Sequence, residues 1–580
     1  MNAVVKPQYT PPQESRYKTA MTRLAEMQGE RLSWDSHWKE LQDFFLTRRG
    51  RWITDSKTNA GTKRNQKLVD PSPKFAARTL GAGMHAGSTN PATPWFRLVT
   101  PDPEMMEYPA VSQWLYAVEN RMRDVFSRSN LYSVLPSLYT EAGVFGTGPM
   151  ILLDHPTKII HCVPKTVGSY YLATNSDGVI DTMYCEYKLT VRQLVDDYGI
   201  ENVSGTVKNE WDSGRRHVLH DVLHVIEPNK DRIAGAYDNK NMTFSSVYFE
   251  TQGTGSAARG DMLPLRVSGF EDNPIAAFRW ETTELTDAYG SSCGMDALGL
   301  AKALQVQTKN KAKAVDKLVD PPMVGDPSLK NAPSSLLPGD VTWAGFTPNG
   351  SAPKFQPAYI IKPELQYLLQ DIQDSREIID VAMYVNLFLA ITKADPRNAT
   401  VPEIDARKEE QILALGPVLQ NHELGLITPI IDRTFNIMAR KGLLPPPPQE
   451  LSGVQLKVEL IGALAQAFRS IAGGKIERFA GFVGNIAAAQ AAAGQEVTAF
   501  DKFDVDQALD EHSQALGVPP SIVRGDDVVA QMREQRAQQQ AQQASMQAMA
   551  AAKDGATAAK TLSETDTGDG QNALQAVAGA

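Results

Sequence analysis

Two long segments with apolar residues at helical spacing, separated by an insert rich in Pro and Gly, constrain the fold of this chain more than any other feature. The first segment covers 296–318 and ends before Pro321 and Pro322, because proline cannot continue a helix. The second begins at Pro363, a residue favoured in the first helical turn, and it predicts a helix roughly 40 Å long. Two such helices with little between them are typical of a stalk or a bundle rather than of a compact enzyme core.

Length, charge and cysteine usage exclude several classes of protein. A chain of 580 residues is expected to form several domains. Its net charge of −9 argues against a general nucleic-acid binder, although a protein through which nucleic acid passes is not excluded. Cys162, Cys185 and Cys293 show no paired spacing, so we expect a reducing compartment and neither a disulfide scaffold nor a cysteine zinc site.

The two ends of the chain are polar. Residues 1–15 are rich in Pro and Gln and predict a flexible arm, with no apolar core of a signal peptide. No uninterrupted apolar run reaches about 18 residues, so we expect no membrane span and no membrane partner. Residues 553–580 are polar and rich in Ala and Gly, and we interpret them as a disordered tail.

Between these ends the periodicity changes along the chain. Helical spacing predicts helices at 14–45, 109–128 and 131–144, and alternation with many β-branched residues predicts a β-rich region over 149–250. Further helices are expected at 72–90, 190–198, 403–440, 455–530 and 533–552. The fold class is therefore mixed α+β and mainly helical.

Three histidines within the β-rich region are a candidate metal site. On a helix His217, His220 and His224 would share one face and could bind a metal. The β-branched residues around them favour a strand instead, on which only His220 and His224 share a face. We therefore expect ordinary, partly buried histidines and no bound metal.

Two other stretches suggest phosphate binding but have simpler explanations. Gly81, Gly83 and Gly87 follow no strand and do not have the spacing of a dinucleotide loop, so close helix packing is the better interpretation. The basic and aromatic stretch Arg48–Trp52 could contact phosphate, but a surface turn or a subunit contact is favoured. Nothing in the sequence forms a Walker motif or a nucleophile motif, and we predict neither a cofactor nor a catalytic site.

Seven segments, taken in order, resemble the portal, or head-to-tail connector, proteins of short-tailed bacteriophages over about residues 15–545. These segments are WKELQDFFLTRRGRW (38–52), EAGVFGTGPMIL (141–152), YGSSCGMDAL (289–298), AVDKLVDPP (314–322), LGPVL (415–419), TPIIDRTFNIMARKGLLPPPP (428–448) and RFAGFVGNIA (478–487). No single segment is decisive, whereas the ordered set is specific. The resemblance implies a ring of twelve subunits around a DNA channel at one vertex of the capsid.

The resemblance also implies a division of the chain into named regions. These are a wing (16–288), a stem helix (289–319), a clip with a small α/β fold (320–362), a second stem helix (363–390), a channel loop (391–402), a further wing segment with a long helix (403–454) and a helical crown with a possible barrel (455–552). The implied partners are further copies of the chain, the major capsid and scaffolding proteins, the terminase large subunit, tail adaptor and tail proteins, and double-stranded DNA in the channel. The implied location is the virion, after assembly in the host cytoplasm.

Two groups of residues are candidates for contacts in such a ring. The candidates for DNA contact in the channel are Lys302, Lys309, Lys311, Lys313, Lys317, Lys393 and Arg397. The alternative for the stem lysines is a solvated face or pairing between subunits. The candidates for docking of terminase and tail proteins are the clip residues Asp320, Pro321, Pro322, Trp343 and Phe346. We expect no covalent chemistry; a smaller type of virion adaptor and a hydrolase are the competing interpretations.

Overall fold

The computed structural model describes most of the chain. The described residues are 16–52, 66–102, 105–106, 108–233, 235, 238–251, 264–320, 323–325, 355–357, 365–392, 413–451, 456–492, 498, 502–509 and 526–564. They fall into two compact units, the first built from residues up to 99, from 116–446 and from 456–472, and the second from 100–115, 447–455 and the chain after 472. Within the described residues, no helix is long and apolar enough to cross a membrane.

Helices account for most of the regular structure. In chain order they are α1 (Arg16–Phe44), α2 (Ser72–Ser88), α3 (Pro109–Arg128), α4 (Leu131–Phe145), α5 (Val191–Tyr198), α6 (Gly205–Asp212), α7 (Cys293–Val319), α8 (Leu365–Ala382), α9 (Val385–Thr392), α10 (Gly416–His422), α11 (Thr428–Arg440), α12 (Ala463–Ala492) and α13 (Asp526–Glu564). A π-helical turn, Glu423–Ile427, joins α10 to α11. The part of the predicted helix 403–440 that precedes residue 413 lies outside the described residues.

The strands of the described residues form four antiparallel sheets. They are β1 (Phe96–Val99), β2 (Thr147–His155), β3 (Ile159–Pro164), β4 (Tyr170–Thr174), β5 (Ile180–Thr190), β6 (Leu219–Pro228), β7 (Phe244–Glu250), β8 (Arg266–Phe270), β9 (Ile275–Arg279), β10 (Met323–Gly325), β11 (Phe355–Pro357) and β12 (Lys457–Leu460). The largest sheet has the order β4-β5-β6-β7-β8, and a second has the order β3-β2-β9. The remaining pairs are β1 with β12 and β10 with β11.

One face of the five-stranded sheet is covered by α1. Tyr17 and Leu24 of α1 are buried against Tyr171, Leu223 and Phe249 of the strands. The ring of Tyr17 meets that of Phe249 edge to face, with centroids 5.5 Å apart, which is a favoured arrangement for aromatic pairs. The alternation of the strand residues thus buries one set of side chains beneath the amphipathic helix, as the β-rich interpretation of 149–250 predicted.

The second of the two long helices is interrupted. The prediction of one continuous helix over 363–390 is wrong, because α8 ends at Ala382 and α9 begins at Val385. The break contains Tyr384, whose φ of 54° lies in the left-handed region that non-glycine residues rarely adopt. The ring of Tyr384 lies 6.2 Å from that of Trp280, so tertiary packing accompanies the break. By contrast, α7 is continuous over 27 residues.

The second unit contains the C-terminal helix α13. Arg533 of this helix donates to both carboxylate oxygens of Asp506, at 2.6 and 2.7 Å, and the rings of Phe479 and Phe503 lie 5.7 Å apart. The helix continues to Glu564, so the predicted disordered tail over 553–580 is wrong for residues 553–564. Residues 553–564 contain three Ala, two Lys, Leu562 and Glu564, which all have high helix propensity, and they continue the helix predicted at 533–552.

Candidate functional site

The hairpin formed by α7 and α8 holds most of the described candidate residues, and its base is fixed by backbone contacts. Ser292 is the N-cap of α7: its Oγ accepts from the amide of Met295 (3.2 Å) and donates to the carbonyl of Val144 (2.7 Å). Gly146 adopts φ +85° and lies against Gly290, where a Cβ on Gly146 would come within 1.8 Å of the Gly290 carbonyl oxygen. The start of α7 therefore abuts the turn between α4 and β2 with no side chain between them.

Three of the segments that carry the family resemblance meet at this base. The indole of Trp38 donates to the carbonyl of Phe145 (2.9 Å), and its ring packs edge to face on Tyr289 at 5.2 Å. The hydroxyl of Tyr289 accepts from the amide of Leu172 (3.1 Å). Segments that are distant in sequence thus form one packed junction.

A fourth segment is joined to the β3-β2-β9 sheet by a buried arginine. Arg433 of α11 donates from Nε to the carbonyl of Leu152 and from Nη1 to that of Asp272, both at 2.9 Å. Burial lowers the pKa of Arg433 to about 10. The guanidinium therefore cross-links β2, the turn before β9 and α11.

The mutual register of α7 and α8 is set by polar contacts. The Oγ of Ser375 donates to Oε1 of Gln307 (3.2 Å), which fixes the height of one helix along the other. Arg376 donates to one carboxylate oxygen of the buried Asp70 from Nη2 (2.8 Å) and Nε (3.2 Å). Gln305 accepts from the amide of Asp70 (2.7 Å) and donates to its carbonyl (3.1 Å). Both helices are thereby tied to the segment that precedes α2.

The Asp70 junction was missed from the sequence. Asp70 lies 235 residues from Gln305 and 306 residues from Arg376 along the chain, and each of the three is a common surface residue type. The only sequence signal is that Arg376 lies in an otherwise acidic stretch of α8. Such a signal shows neither that its partner is buried nor where that partner lies.

The lysines of α7 lie on two different faces. Successive positions among 302, 309, 313 and 317 are seven or four residues apart, so these lysines share one face together with Val306. Lys311 is about 200° around the helix from Lys309, so it lies on the opposite side. Lys302 forms an ion pair with Glu40 of α1, and this hydrogen bond lowers the pKa of Glu40. The five lysines therefore cannot all face one surface.

An acidic face lies on the other helix of the hairpin. Asp371, Asp374 and Glu377 are all exposed on α8. Asp371 and Asp374 share a face with the exposed apolar residues Tyr367 and Ile378, because successive positions in this set are three or four residues apart. The hairpin thus presents a basic stripe on α7 and an acidic stripe on α8.

The predicted clip is described only at its base. β10 pairs with β11, with Met323 opposite Pro357, so the chain leaves α7 and returns toward α8 through a two-stranded ribbon. Asp320 is exposed and is the C-cap residue of α7. The candidates Pro321, Pro322, Trp343, Phe346, Lys393 and Arg397 lie outside the described residues.

The histidines occupy the strand that the alternation predicted. His220 and His224 lie in β6, and His217 precedes it. His220 pairs with Glu210 (2.6 Å), while His224 bonds to Ser246 Oγ (2.9 Å). Burial holds the pKa of His224 well below its usual value. Among the described residues no group of three or more His, Cys, Asp or Glu side chains could hold a metal ion.

The glycines of α2 serve close packing, as predicted. A Cβ on Gly83 would come within 2.2 Å of the ring of Phe388, and one on Gly81 within 2.0 Å of Thr140 Oγ1. The stretch Arg48–Trp52 is likewise engaged internally. Arg49 pairs with the buried Glu141 at 3.2 Å, and Trp52 is itself buried.

The comparisons with known proteins agree with one another. The model of the family "Bacteriophage head to tail connecting protein" matches residues 17–523. The chain is 44% identical over 568 residues to a portal protein of Salmonella phage epsilon15, covering 98% of this chain and 99% of that protein. It is 38% identical over 563 residues to a probable portal protein of Bordetella phage BPP-1, covering 97% and 98%.

A structural comparison gives a much weaker likeness. A chain from the neck of an empty gene transfer agent particle matches 74% of this chain and 91% of its own length, with 10% identity and a TM-score of 0.33. The family assignment rests on the sequence comparisons instead. From their extent and identity, this chain belongs to the family of bacteriophage head-to-tail connecting proteins.

Proposed function

We propose that this chain is the subunit of a phage portal, a ring at one vertex of the capsid. The observation that carries the proposal is the 44% identity to a portal protein over nearly the whole of both chains. The packed junction of the family segments at the base of α7 supports it, because the residues that carry the resemblance are also those that fix the hairpin. The role is structural, and the ring performs no covalent chemistry.

The proposed assembly has twelve subunits and a central channel for double-stranded DNA. Closure of a ring requires heterologous interfaces, in which two different patches of the same chain meet around the axis. The ring would dock the terminase large subunit during packaging and tail proteins afterwards, through the clip that begins at Asp320, and it would contact the major capsid and scaffolding proteins. Its location is the virion, after assembly in the host cytoplasm.

Contact with passing DNA is proposed for three of the basic candidates. These are Lys311 on one side of α7, and Lys393 and Arg397, which lie outside the described residues. Lys302 forms an ion pair with Glu40. Lys309 and Lys313 lie on the exposed face of α7 that we assign to contact between neighbouring subunits. A conduit needs sparse basic residues, because a lining dense in Lys and Arg would hold the phosphates too tightly. The net charge of −9 is compatible with this requirement.

The native mass of the purified chain, together with negative-stain images, tests the proposal. A ring has a mass of about 760 kDa, twelve times the 63.5 kDa of one chain, and shows an axial hole. A monodisperse monomer or dimer that forms no ring when concentrated would refute the assembly. The adaptor and hydrolase interpretations would then be tested in its place.

A further inference from the structure

The exposed stripe of α7 combines charge with an apolar position. Val306, Lys309 and Lys313 follow one another at steps of three and four residues, and the side chain of Val306 is 59% exposed. Lys309 and Lys313 form no ion pair with any other described residue. The exposed Asp316 shares this face three residues beyond Lys313, so the basic part of the surface is confined to Lys309 and Lys313 beside Val306. An exposed apolar side chain flanked by two such lysines is a surface that gains from a partner of the opposite sign.

The exposed stripe of α8 has the complementary character. Asp371, Asp374 and Ile378 are again three and four residues apart, and Ile378 is 51% exposed. Within the described part of the chain, Asp371 and Asp374 also lack an ion-pair partner. Each stripe therefore has the three-four spacing along which paired helices contact one another, with an apolar position and two charges of one sign.

The register within the hairpin puts matching residues at matching heights. The hydrogen bond between Ser375 and Gln307 places those positions at about the same level. The helices run in opposite directions, because the antiparallel β10–β11 ribbon joins the end of α7 to the start of α8. Counting from this contact at about 1.5 Å per residue, Lys309 lies about one residue from the height of Asp374. By the same count, Lys313 is within about 3 Å of the height of Asp371, and Val306 is within about 3 Å of that of Ile378.

Matching heights have a consequence for a rotationally symmetric ring. We take the hairpin to run along the ring axis, and rotation about such an axis moves a subunit to its neighbour's position without changing the height of any residue along the axis. Lys309 and Lys313 of one copy then lie at nearly the same heights as Asp374 and Asp371 of the neighbouring copy. Two different patches of one chain are thereby paired, which is the heterologous contact that ring closure requires.

We infer that the α7 stripe of one subunit docks on the α8 stripe of the next copy of this chain, with Lys309 against Asp374, Lys313 against Asp371 and Val306 against Ile378. This inference rests on the ring assembly proposed above. The charges select the register and the direction of packing, and the apolar pair supplies a desolvated centre.

Charge reversal in the full-length chain tests the inference. K309E/K313E and D371K/D374K each place like charges opposite one another, and the fraction of protein in rings at 0.15 M salt should fall by about tenfold or more. The combined variant K309E/K313E/D371K/D374K restores opposite charges across every interface and should recover rings. An equimolar mixture of the two double variants should also assemble, because each contact can again pair opposite charges.

Matched controls separate this inference from the proposed function. K230E/K240E reverses two exposed lysines away from the hairpin and should assemble as the unaltered chain does. If the unaltered chain forms rings and both double variants form them equally well, the inference is overturned while the ring stands. If K309Q/K313Q forms normal rings that fail to package DNA, the lysines face the channel and the inference is likewise overturned. A combined variant that does not recover rings, while remaining folded by circular dichroism, also overturns it.

Discussion

Asp70 accepts two hydrogen bonds from Arg376 on the same carboxylate oxygen, and the carboxylate is 1% exposed while the arginine is 44% exposed. The pKa of Asp70 is lowered overall: burial raises it, but the bonds from Ser72 and Arg376 outweigh burial. The carboxylate therefore stabilises the fold above the pKa of the unfolded chain, and this stabilisation is lost as the pH falls through the folded-state value. This charge ties α8 to the segment before α2, whereas Gln305 of α7 binds the backbone of Asp70.

Asp70→Asn should lower the free energy of unfolding by about 2 kcal/mol, because it removes a charged acceptor from a buried position. Arg376→Gln should cost less, about 1 kcal/mol, since the arginine is partly exposed and its charge is screened. The measurement is the urea unfolding midpoint at fixed protein concentration. An equal loss of unfolding free energy in the two variants would contradict the prediction that the more buried partner, Asp70, matters more.

Gly146→Ala should prevent stable folding. A Cβ at this position would approach the Gly290 carbonyl oxygen to 1.8 Å, and φ is +85°. Gly214→Ala is the matched control, because Gly214 also has a positive φ of +77° but has no neighbour within 4 Å of an added Cβ. The control should lose only about 1 kcal/mol from backbone strain. Soluble yield and thermal unfolding distinguish the two, and a well-folded G146A protein would show that the backbones can separate at the base of α7.

Trp38→Phe should destabilise the chain by about 2 kcal/mol, because it leaves the buried carbonyl of Phe145 without its donor and opens a small cavity. Trp34→Phe is the comparison. Trp34 stacks on Trp38 at 5.8 Å but is only partly buried, so its truncation should cost less than half as much. Thermal unfolding of both variants measures the difference, and a reversed order would mean that stacking outweighs the hydrogen bond.

The pH dependence of stability should include a contribution from Glu119. Burial raises its pKa to about 7, against the bond from the amide of Leu98. A raised pKa means that the folded state favours the protonated form of Glu119. This group therefore contributes stability that is fully present below the unfolded-state pKa near 4.5 and is lost as the pH rises through the folded-state pKa of about 7. Glu119→Gln keeps an acceptor for Leu98 and removes the titration. Urea unfolding from pH 5 to 8 should fall less steeply in E119Q, and parallel curves would contradict the prediction.

Local periodicity of apolar residues predicted the helices and strands that bury a regular row of apolar side chains. α1, α3, α4 and α7 were placed within a few residues of their observed ends, because each one packs an amphipathic face on the core. The strands around His220 and His224 were recognised from β-branched alternation.

What the sequence could not predict depends on contacts between distant segments. The break at Tyr384 has no Gly or Pro to mark it, and it accompanies packing on Trp280. β12 pairs with β1 across more than 350 residues, so its four-residue run had no local partner to reveal it and was assigned to a helical region. The opposing stripes of α7 and α8 became visible only once the contact of Ser375 with Gln307 had fixed their relative height.

Gly146, Gly290 and Gly294 bring backbone against backbone at the start of α7, and this contact should affect how the hairpin responds to a force along its axis. Compression along α7 passes through its ladder of backbone hydrogen bonds to its first turn, where Gly294 and Gly290 meet the backbone of α4 and its turn directly. Side chains at a joint can yield by changing rotamer, whereas backbone pressed on backbone cannot. We therefore expect the base of α7 to yield little under compression, so that a force applied at the β10–β11 end of the hairpin would be transmitted to α4 and β2.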